Sequence, residues 1–322
     1  MRTRTIGSLT VPVVGLGTDN FGGRLDLAGA RDVVSAAIDA GATFIDTADA
    51  YGATKSEEFI GEALRSKRDK VILTTKFGVA NEHAGLEGGA HPDYVRKSLD
   101  ASLRRLRTDY VDLYQLHYPD ENVPIADTLG ALREQIDAGK VREVGCSNFS
   151  AAQLREANSV ASEQNLPRFV SVQNMYNLLR REAEREVLPT SRRLGIAFVP
   201  YYPLLSGILT GKYRKGRPLP TGTRVTGNAV WQPKLTEDVL GAVERLADYA
   251  ESHGRELLDL AFAWLLADPA IPSVIAGAMT PAQVERNVRA ADWELTPSQR
   301  REVDQLLTDS GFTPEHPPSL ET

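Results

Sequence analysis

Residues 71–76 read VILTTK, a run that is apolar or β-branched at every position until a lysine ends it. A strand with no alternation between polar and apolar faces is covered on both sides, as strands of a parallel sheet are. The same form recurs upstream at 43–46, TFID, and downstream at 111–117, VDLYQLH. Further runs of this kind occupy 13–17, 141–146, 169–173, 196–200 and 272–275. Between them, apolar residues recur at three- and four-residue spacing, which predicts helices over 30–40, 92–106, 125–138, 151–161 and 181–194. Gly41, Gly139 and Gly195 close three of these helices where a left-handed residue is expected.

Strands alternating with helices predict a parallel α/β sheet, either open and doubly wound or closed. Gly15 and Gly17 are followed by Asn20 where a dinucleotide-binding turn requires a third glycine, so the open Rossmann form is disfavoured. The expectation is a (β/α)8 TIM barrel forming one domain over 1–322. The leader, 2–9 and 11–13 with a turn near Gly7 and Ser8, reads as an N-terminal β-hairpin that plugs the barrel bottom. Residues 201–235 are rich in glycine and proline without periodicity, which marks a long functional loop on the C-terminal face. The proline-rich tail, 311–322, is expected to wrap the surface or hang loose.

The chain has 322 residues, 42% hydrophobic and 25% charged, which is globular composition. A net charge of −6 lacks the basic footprint of a nucleic-acid binder. Two arginine clusters, at 104, 105 and 107 and at 180, 181 and 185, read as solvated helix faces. One cysteine, Cys146, excludes an internal disulfide and reads as a small buried apolar residue. With neither a signal-peptide core nor a run long enough to span a bilayer, a cytoplasmic location without membrane contact is expected.

The polar residues that end the apolar runs carry the chemistry. Asp46, Lys76 and His117 end three of them; Ser147 and Asn148, Gln173 and Tyr201 follow three more. In a barrel these ends converge on the C-terminal face, where the active sites of this fold lie. Taken singly each has a bland reading: a cap for Asp46, a snorkelling chain for Lys76, a satisfied polar group for His117. Six in register are hard to explain that way, because a buried lysine beside a histidine is costly unless used. Tyr51 lies on the loop after Asp46. A nearby lysine cation lowers a phenol's pKa, and His117 can bond a substrate oxygen or relay a proton. A general acid beside hydrogen-bond donors suits carbonyl reduction.

The motifs GLGT (15–18), DTADAYG (46–52), TTKFG (74–78), YVDLYQLHYPD (110–120), VGCSNF (144–149), PLLSGILTGKY (203–213) and IAGAMTPAQVERN (275–287) resemble the aldo-keto reductase superfamily, in order and over nearly the whole chain. The long loop is similar to the branch holding bacterial and plant general reductases and potassium-channel β subunits. The resemblance implies a catalytic tetrad of Asp46, Tyr51, Lys76 and His117. It implies NADP(H) as cofactor, with NAD(H) as the alternative. Ser147, Asn148 and Gln173 would hold the nicotinamide carboxamide, and Tyr201 would stack on its ring. Pro203, Leu204, Ser206 and Gly207 would line the pyrophosphate path, with Lys212 and Arg224 gripping phosphates. Thr18, Asp19 and Asp46 would flank the cofactor, and Gly277, Met279, Gln283 and Asn287 would surround its adenosine end.

The sequence departs from that pattern in three places. Met279 stands where relatives carry a basic or small polar residue. Arg286 replaces an acidic residue, and either contacts a phosphate or faces solvent. Asp19 replaces an aromatic or methionine and makes the pocket mouth more polar. Phe21, Tyr118 and Trp231 are candidate pocket walls, Trp231 equally readable as a loop anchor. His83 and His91 lack further ligands, so no metal is expected. A small carbonyl or alcohol is the expected partner, while substrate identity and oligomeric state are unreadable. Three alternatives remain: a sugar or polyol dehydrogenase, a Schiff-base enzyme using Lys76, and a non-catalytic cofactor-sensing subunit.

Overall fold

The chain opens with an antiparallel hairpin, β1 (Thr3–Ile6) and β2 (Leu9–Pro12), turning at Gly7 and Ser8. The structure is a computed structural model that describes residues 1–226, 235–309 and 312. Eight strands follow: β3 (Val14–Gly17), β4 (Phe44–Asp46), β5 (Ile72–Phe77), β6 (Val111–Leu116), β7 (Val141–Ser147), β8 (Ser171–Met175), β9 (Ala197–Tyr201) and β10 (Val274–Gly277). They pair in parallel in the order β10-β3-β4-β5-β6-β7-β8-β9. Phe198 in β9 donates its N–H to the Ala270 carbonyl at 2.9 Å, just before β10, and brings the two ends of the sheet together. With helices between successive strands, this is the α/β TIM barrel expected from the sequence.

The helices are started by local chemistry. Ser150 accepts from the Gln153 N–H, and Gln153 bonds back to Ser150, a reciprocal cap for the helix Ala151–Glu163. Thr236 and Thr280 cap Glu237–Ser252 and Pro281–Ala290 in the simpler way. The hairpin covers the barrel bottom. Ile6, Leu9 and Val11 pack against Phe44, Leu113, Val199 and Ile275, which point inward from β4, β6, β9 and β10. Each such buried side chain contributes about 1.5–3 kcal/mol, so the plug is held by its own apolar contacts.

Three expectations need correction. The helix expected over 181–194 spans only Val187–Leu194, preceded by a short 3-10 turn at Glu182–Glu184. The cause is Arg181, which turns inward: its guanidinium lies 4.3 Å from the Trp264 ring and 2.7 Å from Asp304. Arg180 and Arg181 are therefore buried and are not a solvated face. In the other cluster Arg104 and Arg107 are exposed as expected, but Arg105 is drawn inward to the fully buried Glu57 at 2.7 Å. The strands β8, β9 and β10 also run one or two residues further toward their C-terminal ends than the apolar runs suggest. The loop after β9 is irregular as read, apart from a 3-10 segment at Leu205–Thr210. Residues 227–234, which include Trp231, lie outside the described residues, as does the tail except Phe312, which packs on the core.

Candidate active site

The parallel ladder sets the strand ends at one level. Gly17 pairs with Asp46, Asp46 with Thr74, and Ser147 with Gln173. Asp46 and Lys76 point into the barrel, and Lys76 is fully buried, which rules out snorkelling. Its ammonium donates to Asp46 Oδ2 at 2.6 Å, to the Thr47 carbonyl at 3.1 Å and to Tyr51 Oη at 3.3 Å. All three ammonium protons are thus directed by neighbours. Asp46 Oδ1 accepts from Gln173 Nε2 at 3.0 Å, so its carboxylate is held on both sides. A cap role for Asp46 is not what the structure shows.

Tyr51 and His117 meet edge to face, with ring centroids 5.8 Å apart. His117 stacks on Tyr118 at 5.2 Å on its other side. Burial, and then the Lys76 cation, push the imidazole pKa from 6.5 down to about 3, so His117 is neutral at ordinary pH. Its Nδ1 is buried without a partner among the described residues. The phenol of Tyr51 departs from the sequence argument. Burial, followed by the charges of Asp46 and Asp19, raises its pKa well above 10, and the Lys76 ammonium does not reverse this.

These side chains stand at the inner end of a cavity of about 1010 Å³. Ser147 Oγ donates to the Gln173 carbonyl at 2.7 Å. Asn148, in left-handed conformation, donates to the His117 carbonyl at 2.9 Å and accepts from Tyr201 Oη at 2.8 Å. Beyond β9 the chain passes through positive φ at Leu205, Ser206 and Gly207. Ser206 Oγ is buried there without a partner among the described residues, and a Cβ on Gly207 would stand 2.8 Å from Lys212 Nζ. A free hydroxyl, a bare glycine and an ammonium on one strained loop form a cradle suited to an anion, as the pyrophosphate of a dinucleotide requires. The residues present therefore fit a nicotinamide cofactor.

All the sequence-derived cofactor positions line this one cavity: Thr18, Asp19, Asp46, Ser147, Asn148, Gln173, Tyr201, Pro203, Leu204, Ser206, Gly207, Lys212, Arg224, Gly277, Met279, Gln283 and Asn287. Arg224 donates to Asp19 at 2.7 Å across it. The Met279 N–H donates to Gln283 Oε1 at 2.7 Å, and Arg286 lines the cavity while paired with Glu256. Tyr118 lines the mouth and is 44% exposed. Phe21 does not line it. Its N–H bonds the Thr18 carbonyl at 2.9 Å, a turn that folds the ring back into the core, fully buried. Arg24 and Tyr202, which the sequence did not single out, also line the cavity, as do Asn20 and Val79. Asn20 had a signal, since it holds the place of the missing third glycine. Tyr202 had none, because its left-handed backbone is set by the fold. Among the described residues no cluster of side chains suits a metal ion, and no helix is long and apolar enough to cross a membrane.

A sequence model of the Aldo/keto reductase family matches residues 13–308. The chain belongs to the aldo/keto reductase family. It is similar to Aldo-keto reductase YhdN of Bacillus subtilis, 34% identical over 94% of this chain and 92% of that protein. It is 34% identical to the L-glyceraldehyde 3-phosphate reductase of Escherichia coli K12, over 94% of this chain and 90% of that one. It is 33% identical to a probable voltage-gated potassium channel subunit beta of Arabidopsis thaliana, over 92% of each chain. The family is one of oxidoreductases, and its β-subunit members match the branch read from the long loop.

Proposed function

We propose that the chain is a cytoplasmic NADP(H)-dependent reductase that converts aldehydes or ketones to alcohols, with Tyr51 as proton donor. The observation that carries this reading is the buried Lys76 ammonium shared by Asp46 and Tyr51 at the cavity's inner end. When bound, a nicotinamide cofactor supplies the hydride to the carbonyl carbon. The protein's own part is the proton. A carbonyl oxygen set between Tyr51 Oη and His117 accepts hydrogen bonds and becomes an alkoxide as reduction proceeds. An alkoxide is more basic than a phenolate, which favours transfer from Tyr51, and the raised pKa of the phenol narrows that margin. The phenolate left behind is stabilised by Lys76, whose cation Asp46 holds in place. His117, being neutral, serves as a hydrogen-bond partner and not as an imidazolium acid.

Ser147, Asn148 and Gln173 would fix the nicotinamide amide, and Tyr201 would cover the ring. Ser206, Gly207, Lys212 and Arg224 would take the phosphates. Arg24, Lys212 and Arg286 bring three cations to the cavity, which supports NADP(H). NAD-dependent oxidation of a sugar or other polyol is the second reading. It is favoured by Glu256 and Asp19, which already occupy Arg286 and Arg224 and leave less charge for a further phosphate. Cofactor titration with NADPH and NADH, followed by a panel of small carbonyls, tests both. Higher kcat/KM with NADPH and loss of turnover in Tyr51→Phe are expected. A preference for NAD+ with polyols favours the second reading, and tight cofactor binding without turnover favours a sensing subunit.

A further inference from the structure

Asp49 lies between Asp46 and Tyr51, yet its side chain leaves the cavity. Its backbone N–H donates to the Lys76 carbonyl at 3.1 Å, continuing the ladder past the end of β4. Its carboxyl group then enters the layer between sheet and helices, fully buried, where Oδ2 accepts from Ser98 Oγ at 3.0 Å on the helix Pro92–Leu106. Oδ1 is buried with no partner among the described residues. The loop it anchors is strained. Gly52, Ala53 and Thr54 all have positive φ, immediately after Tyr51. A segment of that kind holds its shape only if its surroundings fix it.

We propose that Asp49 is a positioning residue for Tyr51: its carboxyl group, held against Ser98, fixes the outer face of the turn whose inner face presents Asp46 and Tyr51 to the cavity. The inference rests on the reading of Tyr51 as proton donor.

The charges around Asp49 set the form that does this. Glu57, from the helix Lys55–Ala63, is the second carboxylate. Arg105 is the cation, and it is committed to Glu57 at 2.7 Å, with Thr75 Oγ1 also donating to Glu57 at 2.5 Å. Tyr94 from the helix and Tyr114 from β6 face the group and supply no charge. Among the described residues Asp49 has no ion-pair partner, and Arg105 acts on it only through space. Burial, and then Glu57, raise its pKa from 3.8 to about 7. As the neutral acid it sits in the layer without an unpaired charge. As the carboxylate it adds a second buried anion to a chamber with one cation, and the anchor is disfavoured. Tyr51 presentation is then lost as pH rises through about 7.

Two measurements test this, one of them independent of turnover. The first is deuterium exchange of the 47–56 segment, corrected for intrinsic rates, across a pH series spanning neutrality. Protection in the wild type is expected to fall above about pH 7, and to stay level in Asp49→Asn, which keeps the shape but cannot ionise. The second is kcat against pH. The alkaline limb near pH 7 is expected to vanish in Asp49→Asn. In Asp49→Leu kcat is expected to drop about tenfold or more at every pH, with cofactor Kd within about twofold of wild type. Ser98→Ala, which removes the hydrogen bond to Asp49 and leaves the carboxyl group in place, is expected to show the same loosening and serves if Asp49→Leu does not fold. Protection without pH dependence in the wild type, a limb that persists in Asp49→Asn, or wild-type kcat in both Asp49→Leu and Ser98→Ala overturns the proposal. Intact exchange behaviour in a protein that reduces no carbonyl overturns the functional reading alone.

Discussion

The ammonium of Lys76 and the carboxylate of Asp46 lie 2.6 Å apart, and both are shut away from solvent. An ion pair in such a place is sustained by its geometry, since each charge has given up its hydration. Asp46 recovers part of that through Gln173, and Lys76 through Thr47 and Tyr51.

Removing one partner of that pair leaves the other charged and buried. Lys76→Met is expected to lower the unfolding free energy by about 3–5 kcal/mol, and the double variant with Asp46→Asn to recover a large part of it. Urea denaturation of the wild type and the two variants measures this. Equal stability of Lys76→Met and the wild type would show that the pair is not coupled.

His117 and Asp49 tie stability to pH in opposite directions. The folded pKa of His117, about 3, lies below the ordinary 6.5, so between those values the unfolded chain binds a proton that the folded one refuses. Its contribution is full above about pH 6.5 and lost as pH falls, at up to about 1.4 kcal/mol per unit. Asp49 has its folded pKa raised from 3.8 to about 7, so its contribution is full below about pH 3.8 and lost as pH rises toward 7. Urea midpoints at several pH values between about 5 and about 7 should become less acid-sensitive in His117→Gln and more acid-sensitive in Asp49→Asn. Parallel slopes in all three proteins would contradict both assignments.

Asp19 competes for a cation that a bound phosphate also attracts. Asp19→Asn frees Arg224, and cofactor affinity is expected to rise by up to about fivefold, the scale of a partly exposed pair. Arg224→Met is expected to weaken it by about tenfold or more. Fluorescence titration reads both, and a weaker cofactor complex in Asp19→Asn would show that the carboxylate holds Arg224 in place for the cofactor.

At Gly52, in the Tyr51 turn, any side chain would meet backbone. The residue has φ of +57°, and a Cβ there would stand 2.3 Å from the Phe21 carbonyl oxygen. Gly52→Ala is expected to cost about 1–3 kcal/mol of stability and to depress kcat more than cofactor affinity. Unchanged kcat alongside reduced stability would detach the turn from catalysis.

The barrel was legible because its strands are buried on both faces and their ends are polar, a pattern written in each segment. Asp46, Lys76, His117 and Gln173 stand out for the same reason: each is a polar residue closing an apolar run. Phe21 was misread because its destination depends on a turn at Thr18 that sends the ring inward. Arg181 was misread because its burial depends on Trp264 and Asp304, residues far along the chain. Asp49 gave no sign at all. In sequence it is one more acid in DTADAYG, and only the helix bearing Ser98 gives it an apolar chamber. What one segment dictates can be read from it; what two distant segments dictate jointly cannot.

The hairpin at the barrel floor has a kinetic consequence. Among the described residues, Ile6, Leu9 and Val11 close one end of the barrel, and the inner cavity opens toward the opposite rim. Ser147, Asn148 and Gln173 stand deep, and Tyr118 stands at that rim. Under the proposed function, a long dinucleotide seated along this cavity would arrive before the small carbonyl and depart after the alcohol, which would impose a fixed sequence of arrivals and departures on each turnover.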